Sequence, residues 1–176
     1  MCAPGQPQLP GTAGEALAAL EGAYAFLAAA DVASMPAAEQ GDLLRALERA
    51  GSRHSAARAT VLAAFTAQES YVGDGQQSPK SWLVWQTQVT PGAAATATGW
   101  MRRLAAHPAV GRALAAGDVT TSWAEKICQW TDMLPEGHRP DGDEILLAAA
   151  AGGAGLADLA GLAEEMHRRS CPPDGD

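Results

Sequence analysis

Large side chains that could build a sheet are scarce in this sequence of 176 residues. Aromatics make up 5% of it, and Val and Ile together number nine, whereas Ala alone fills 40 positions. Ala loses no rotamer freedom in a helix, while strands draw on β-branched and aromatic residues, so the composition favours an all-α fold. Cysteine is sparse too. Cys2, Cys128 and Cys171 are an odd set with no C-x-x-C, which speaks against a disulfide framework and against a zinc knuckle. Uninterrupted apolar runs are missing. The stretches around 13–33 and 144–163 are broken by Glu15, Glu21 and Asp31, and by Glu144 and Asp158, so no membrane span is expected. No Lys or Arg precedes Arg45, which removes the basic opening of a secretory signal. A cytoplasmic protein with reduced thiols is the resulting expectation.

What is present is an Ala-rich apolar fraction of 47%, on a chain whose length suits one domain. The net charge of −8 argues against indiscriminate binding to nucleic acid, yet it is unevenly spread. Residues 1–42 hold five acids and no bases, 43–117 eight bases and three acids, and 118–176 four bases and twelve acids. The middle is basic and both ends are acidic.

Periodicity and punctuation divide the chain into helices. Thr12-Ala13-Gly14-Glu15 has the form of a capping box and opens a helix to about residue 30, with Leu17, Leu20, Tyr24 and Leu27 at helical spacing. A long helix begins near Pro36 and reaches toward Ser70. Leu43, Leu47, Ala50, His54, Ala57, Val61 and Ala64 form its expected buried seam, with His54 as a hydrogen-bonded core histidine. Ser78-Pro79 and Thr90-Pro91 each pair an N-cap with a first-turn proline. They open helices over 79–87 and 91–106, the second turning Ala93, Ala97, Trp100 and Leu104 inward. Further helices are expected over 108–117, ending at Gly117, and over 120–133, 143–151 and 156–169. The expected architecture is an irregular bundle of seven to eight helices. It comprises a disordered leader over 1–11, a single domain over 12–169 with a loop at 134–143, and a tail over 170–176.

Catalytic patterns are thin. His54, His107, His138 and His167 have no metal-ligand spacing, and no phosphate-binding glycine loop or nucleophile elbow occurs. Asp141, Asp143 and Glu144 lack the alternation of a calcium loop and read as a solvated acidic turn. Glu164 and Glu165 precede Arg168 and Arg169 at the spacing of surface helix pairs. Neither an enzyme nor a cofactor is expected. Two capped helices joined by Gln88-Val89-Thr90 fit a helix-turn-helix plan, whose second helix would enter a DNA groove. Thr90 sits at the start of that helix, where backbone N–H groups favour a phosphate. Lys80, Arg102, Arg103 and Arg112 stand nearby, and Arg45, Arg49 and Arg53 form an i, i+4, i+8 row. Against base reading, the outward positions of the second helix include Ala95, Thr98 and Gly99, which offer no bidentate group. The five tryptophans read as core filling rather than as a base-stacking platform.

From about Pro36 onward the motifs resemble the bacterial domain of unknown function 222 family. The likeness rests on the helix LLRALERAGSRHSAARATVLAAF, on DGQQSPKSWL with TQVTPGAAA, and on LAAHPAVGRALAAGDVT, DMLPEGH and the closing PPDGD. Each motif is short, and it is their order and spacing that carry the resemblance. It implies a helical domain of the kind found in front of HNH endonucleases. Gln88 stands where the family usually has Gly, and His107 where an apolar residue usually precedes the proline. No paired-His, Cys-rich HNH signature occurs in these residues, so nuclease activity is expected of none of them. The leading expectation is a non-catalytic DNA-associated accessory domain whose phosphate contacts are Arg45, Arg49, Arg53, Lys80, Thr90, Arg102, Arg103 and Arg112. A protein-interaction or homo-oligomerisation module is the alternative, and an inactive truncated remnant a third reading.

Overall fold

The computed structural model describes residues 10–170, and among them all regular structure is helical. The α-helices are α1 (Ala13–Ala29), α2 (Ala37–Ala67), α3 (Pro79–Thr87), α4 (Pro91–Ala106), α5 (Pro108–Ala116), α6 (Thr121–Thr131), α7 (Arg139–Ala151) and α8 (Leu156–Ser170). Short 3-10 turns occupy Val32–Ser34 and Glu136–His138. Most of the expected leader, and the tail beyond Ser170, lie outside the described residues. The expected loop at 134–143 is shorter than the sequence suggests, because Pro140 serves in the first turn of α7, which begins at Arg139.

The chain divides into two compact units, one up to Leu43 and one from Leu44 onward. In the first, Thr12 caps α1 by accepting the Glu15 N–H, while the Glu15 carboxylate accepts from the Gly11 N–H. No residue of α1 is buried. The Gln40 amide donates to the Val32 and Met35 carbonyls and pins the turn that follows α1.

In the second unit α2 buries Ser52, Ala56, Ala59 and Leu62. The expected seam lies on the opposite side of the helix. His54 is exposed, and so are Ala57, Val61 and Ala64. On the buried side Ala56 joins one apolar core and Leu62 another, and Arg53 beside them makes contact with the end of α5. Gly117 closes this contact. It takes a left-handed φ of 77° at the end of α5, and a Cβ there would lie 3.1 Å from Arg53 Nε.

Two apolar cores follow. The smaller joins α2, α3 and α4 through Leu62, Leu83, Ala94 and Ala97, with Phe65, Trp82 and Met101 packed on it. Ala94 rather than Ala93 faces inward, and Thr98 is buried rather than outward. The larger core joins α5 to α8 through the fully buried Val110, Leu114, Ile127, Leu146 and Leu159, with Trp100, Trp123 and Trp130 against it. Each such aliphatic side chain stabilises the fold by about 1.5–3 kcal/mol. Trp85, in contrast, is 54% exposed.

A polar cluster sits within the larger core. His107 ends α4 and starts α5, and its ring is 1% exposed. Its Nδ1 lies 3.0 Å from Asp143 Oδ2, and its Nε2 lies 3.3 Å from Asp132 Oδ1. Thr131 Oγ1 donates to Asp143 Oδ1 at 2.7 Å. Arg139 donates to the Leu134 and Asp132 carbonyls, which fastens the α6–α7 connection. Asp143 is therefore a buried partner of His107 on α7, not part of a solvated turn. Gly142 beside it lets α7 lie against Leu134 and Thr131, since a Cβ there would fall 2.7 Å from Leu134 Cδ1 and 3.1 Å from Thr131 Cγ2.

Candidate functional site

The predicted phosphate-contacting residues separate into engaged and open groups. Arg53 donates from Nε and Nη2 to the Ala116 carbonyl, at 3.2 and 2.7 Å, and so serves the C-terminus of α5. Arg103 pairs with Glu125 at 3.3 Å and lies over the Trp100 ring. Arg112 stands 4.0 Å from Glu144. Arg45 is exposed on α2. The Thr90 oxygen already accepts the Ala93 N–H as the cap of α4, and Pro91 has no N–H to give. Arg49, Lys80 and Arg102 are exposed, and no ion pair reaches them among the described residues. Arg58, which the sequence reading passed over, has the same standing.

The α3–turn–α4 segment has the expected helix boundaries and caps. Ser78 and Ser81 form a reciprocal capping box on α3. Gln88 ends α3 in the left-handed conformation, with φ 53°, at the position where the resemblance places Gly. On the exposed side of α4 stand Ala95, Thr96, Gly99 and Arg102. The Thr96 hydroxyl donates to the Gly92 carbonyl, which leaves Arg102 as the long polar side chain available to a ligand on this face.

The His107 cluster contains groups familiar from catalysis, but its geometry serves packing. Thr131 and Asp143 are 0% and 1% exposed, so a substrate has no approach to them. Cys128 beside them is buried as well. Burial, reinforced by the Asp143 carboxylate, pushes its thiol from 9.0 up to about 12, which keeps it protonated and unreactive at neutral pH. Among the described residues no group of three or more His, Cys, Asp or Glu side chains is placed to hold a metal ion. The sequence signal for the cluster was weak: a lone His before a proline and one of three neighbouring acids, 36 residues apart.

A groove of about 870 Å³ runs between α2, α4 and α5, with Ala57, Val61, Met101, Leu104 and Pro108 among its walls. Its charged lining consists of Arg53 and Arg112, with no carboxylate. No helix among the described residues is long and apolar enough to cross a membrane.

The family model described as "Domain of unknown function (DUF222)" matches residues 41–176, so the chain belongs to that family. No curated protein and no solved structure matches it.

Proposed function

We propose that this chain is a non-catalytic accessory domain that sits on DNA by its phosphates and thereby helps to place an HNH nuclease. The observation that carries the reading is the set of exposed cations on α2, α3 and α4 without carboxylate partners among the described residues: Arg49, Arg58, Lys80 and Arg102. Two of them, Lys80 and Arg102, lie in the stretch between Asp74 and Asp118, where no acid occurs. Arg45, Arg53, Arg103, Arg112 and Thr90 stand behind them, their polar atoms shared with the protein's own structure. The nuclease association comes from the family resemblance, and the sparse, odd cysteine set is compatible with a cytoplasmic location and reduced thiols. Because one long polar side chain faces outward on α4, the domain holds the backbone of the duplex without reading its sequence.

Fluorescence anisotropy with duplexes of unrelated sequence tests this. Affinity falls steeply with salt and is alike for all duplexes. Arg102→Ala reduces the slope of log K against log salt by about 1, one phosphate contact. Absence of binding at low salt, or a slope indifferent to Arg102, refutes the reading.

A further inference from the structure

The stripe on α2 that the core does not use has a regular form. From Leu47 through Ala50, His54, Ala57 and Val61 to Ala64 its members alternate at three and four residues, the spacing of a coiled-coil seam. It is open: Leu47 is 37% and Val61 69% exposed. Ala57 and Val61 also form one wall of the groove between α2, α4 and α5. An apolar surface of this kind marks an interaction site. Helix α1 presents a matching half. Leu17, Leu20, Tyr24 and Leu27 repeat the same spacing, the first three are 60%, 39% and 40% exposed, and no residue of the helix is buried.

We propose that two copies of this chain associate, α1 of each lying along the outer stripe of α2 on the other. The flanking charges select this pairing over its alternatives. In the seam's register the charged residues beside the α2 stripe are Arg53 and Arg58, and the one beside the α1 stripe is Glu21. Flanking charges of this kind set partner choice in coiled coils. Pairing α2 with α2 brings arginines against arginines, and pairing α1 with α1 offers no cation to either Glu21. Only α1 against α2 joins opposite signs. The lengths agree as well, since both α1 and the stripe from Leu47 to Ala64 extend about 25 Å at the helical rise.

Light scattering on the full chain tests the proposal. The wild type shows twice the chain mass at micromolar concentration and half that value on dilution. Leu20→Asp and Val61→Asp each remain monomeric with unchanged helicity by circular dichroism, both positions being solvent-exposed. Mixing these two variants in equal amounts restores the doubled mass, because the intact α1 of one meets the intact stripe of the other. A wild type monomeric up to millimolar concentration overturns the proposal, as does a dimer indifferent to Val61→Asp or a mixture that stays monomeric. None of these outcomes depends on DNA.

Discussion

The helices α5 to α8 and the helices α2 to α4 are built on different rules. The first group surrounds large, fully buried aliphatic side chains and a polar cluster whose members come from α6, α7 and the junction with α4. Its cations are largely tied down: Arg139 to Asp132 and the Asp132 carbonyl, Arg168 and Arg169 to Glu165. The hydrogen bond from Arg169, with help from Arg168, holds the Glu165 carboxyl below its ordinary range. The second group packs mainly through Ala and a few rings, and leaves cations and an apolar stripe in solvent. Where ion pairs cross from the second group and α5 to α6 and α7, as Arg103–Glu125 and Arg112–Glu144, basic residues answer acidic ones. Large buried side chains thus concentrate in α5–α8, and the partner binding proposed above falls to the exposed cations and stripe of α2–α4.

The largest expected effect would break that comparison if it failed to appear. His107→Ala removes the ring that faces both Asp143 and Asp132, and leaves Asp143 buried with Thr131 alone. Leaving a buried polar group short of its hydrogen-bond partner costs about 1–3 kcal/mol, and the space left by the ring adds to that, whereas Arg102→Ala on the exposed side of α4 should stay within about 0.5 kcal/mol. Urea denaturation of both variants measures the contrast. Similar losses in the two would mean that the polar cluster is no anchor.

The helical class, the caps at Ser78 and Thr90, and the ends at Gly117 and Gly152 were legible because each rests on local chemistry written in consecutive residues. The facing of α2 was not. Its larger apolar residues form a regular stripe, but burial went to the side of Ser52, Ala56, Ala59 and Leu62, because residues distant in sequence take up Ala56 in the larger core and Leu62 in the smaller. The His107 cluster was hidden for a related reason. His107, Thr131 and Asp143 meet only after α4, α6 and α7 are docked, and no short spacing announces them. Among the candidate phosphate contacts, residue type was readable but engagement was not. Arg53 and Arg103 look like Arg49 and Arg102 in sequence, and differ by the Ala116 carbonyl and the Glu125 carboxylate that the fold brings to them.

The titration of Cys128 sharpens the contrast from within the larger core. Below pH 9.0 folded and unfolded chains both keep the proton, so this group leaves stability level. Between 9.0 and about 12 the unfolded chain releases it while burial holds it in the folded one. The unfolded state is then favoured by up to tenfold per pH unit across that window. In a chain carrying Cys2→Ser and Cys171→Ser, stability therefore falls as pH rises through this range, and further substitution of Cys128→Ala flattens the fall. A thiol reagent at pH 8 should modify Cys128 only upon unfolding. Prompt labelling of the folded chain would show this core to be looser than its packing implies.

The smallest effect concerns the turn between α3 and α4. Gln88 holds φ at 53°, and neither the Asn nor the Gly that ordinarily accepts this conformation stands there. The left-handed region costs an L-residue with a Cβ about 1–2 kcal/mol, and glycine escapes that cost while losing more backbone freedom on folding. The balance favours Gln88→Gly by about 1 kcal/mol or less, read as a higher urea midpoint at unchanged slope. The Gln88 side chain is exposed and makes no hydrogen bond among the described residues, so little is lost with it. The same variant should leave DNA affinity unaltered if the phosphate contacts are made by Arg49, Lys80 and Arg102 on helices that keep their places. A change in affinity along with the gain in stability would instead make the turn itself part of the contact surface, and the division between an anchoring and a binding region would then have to be redrawn through α3.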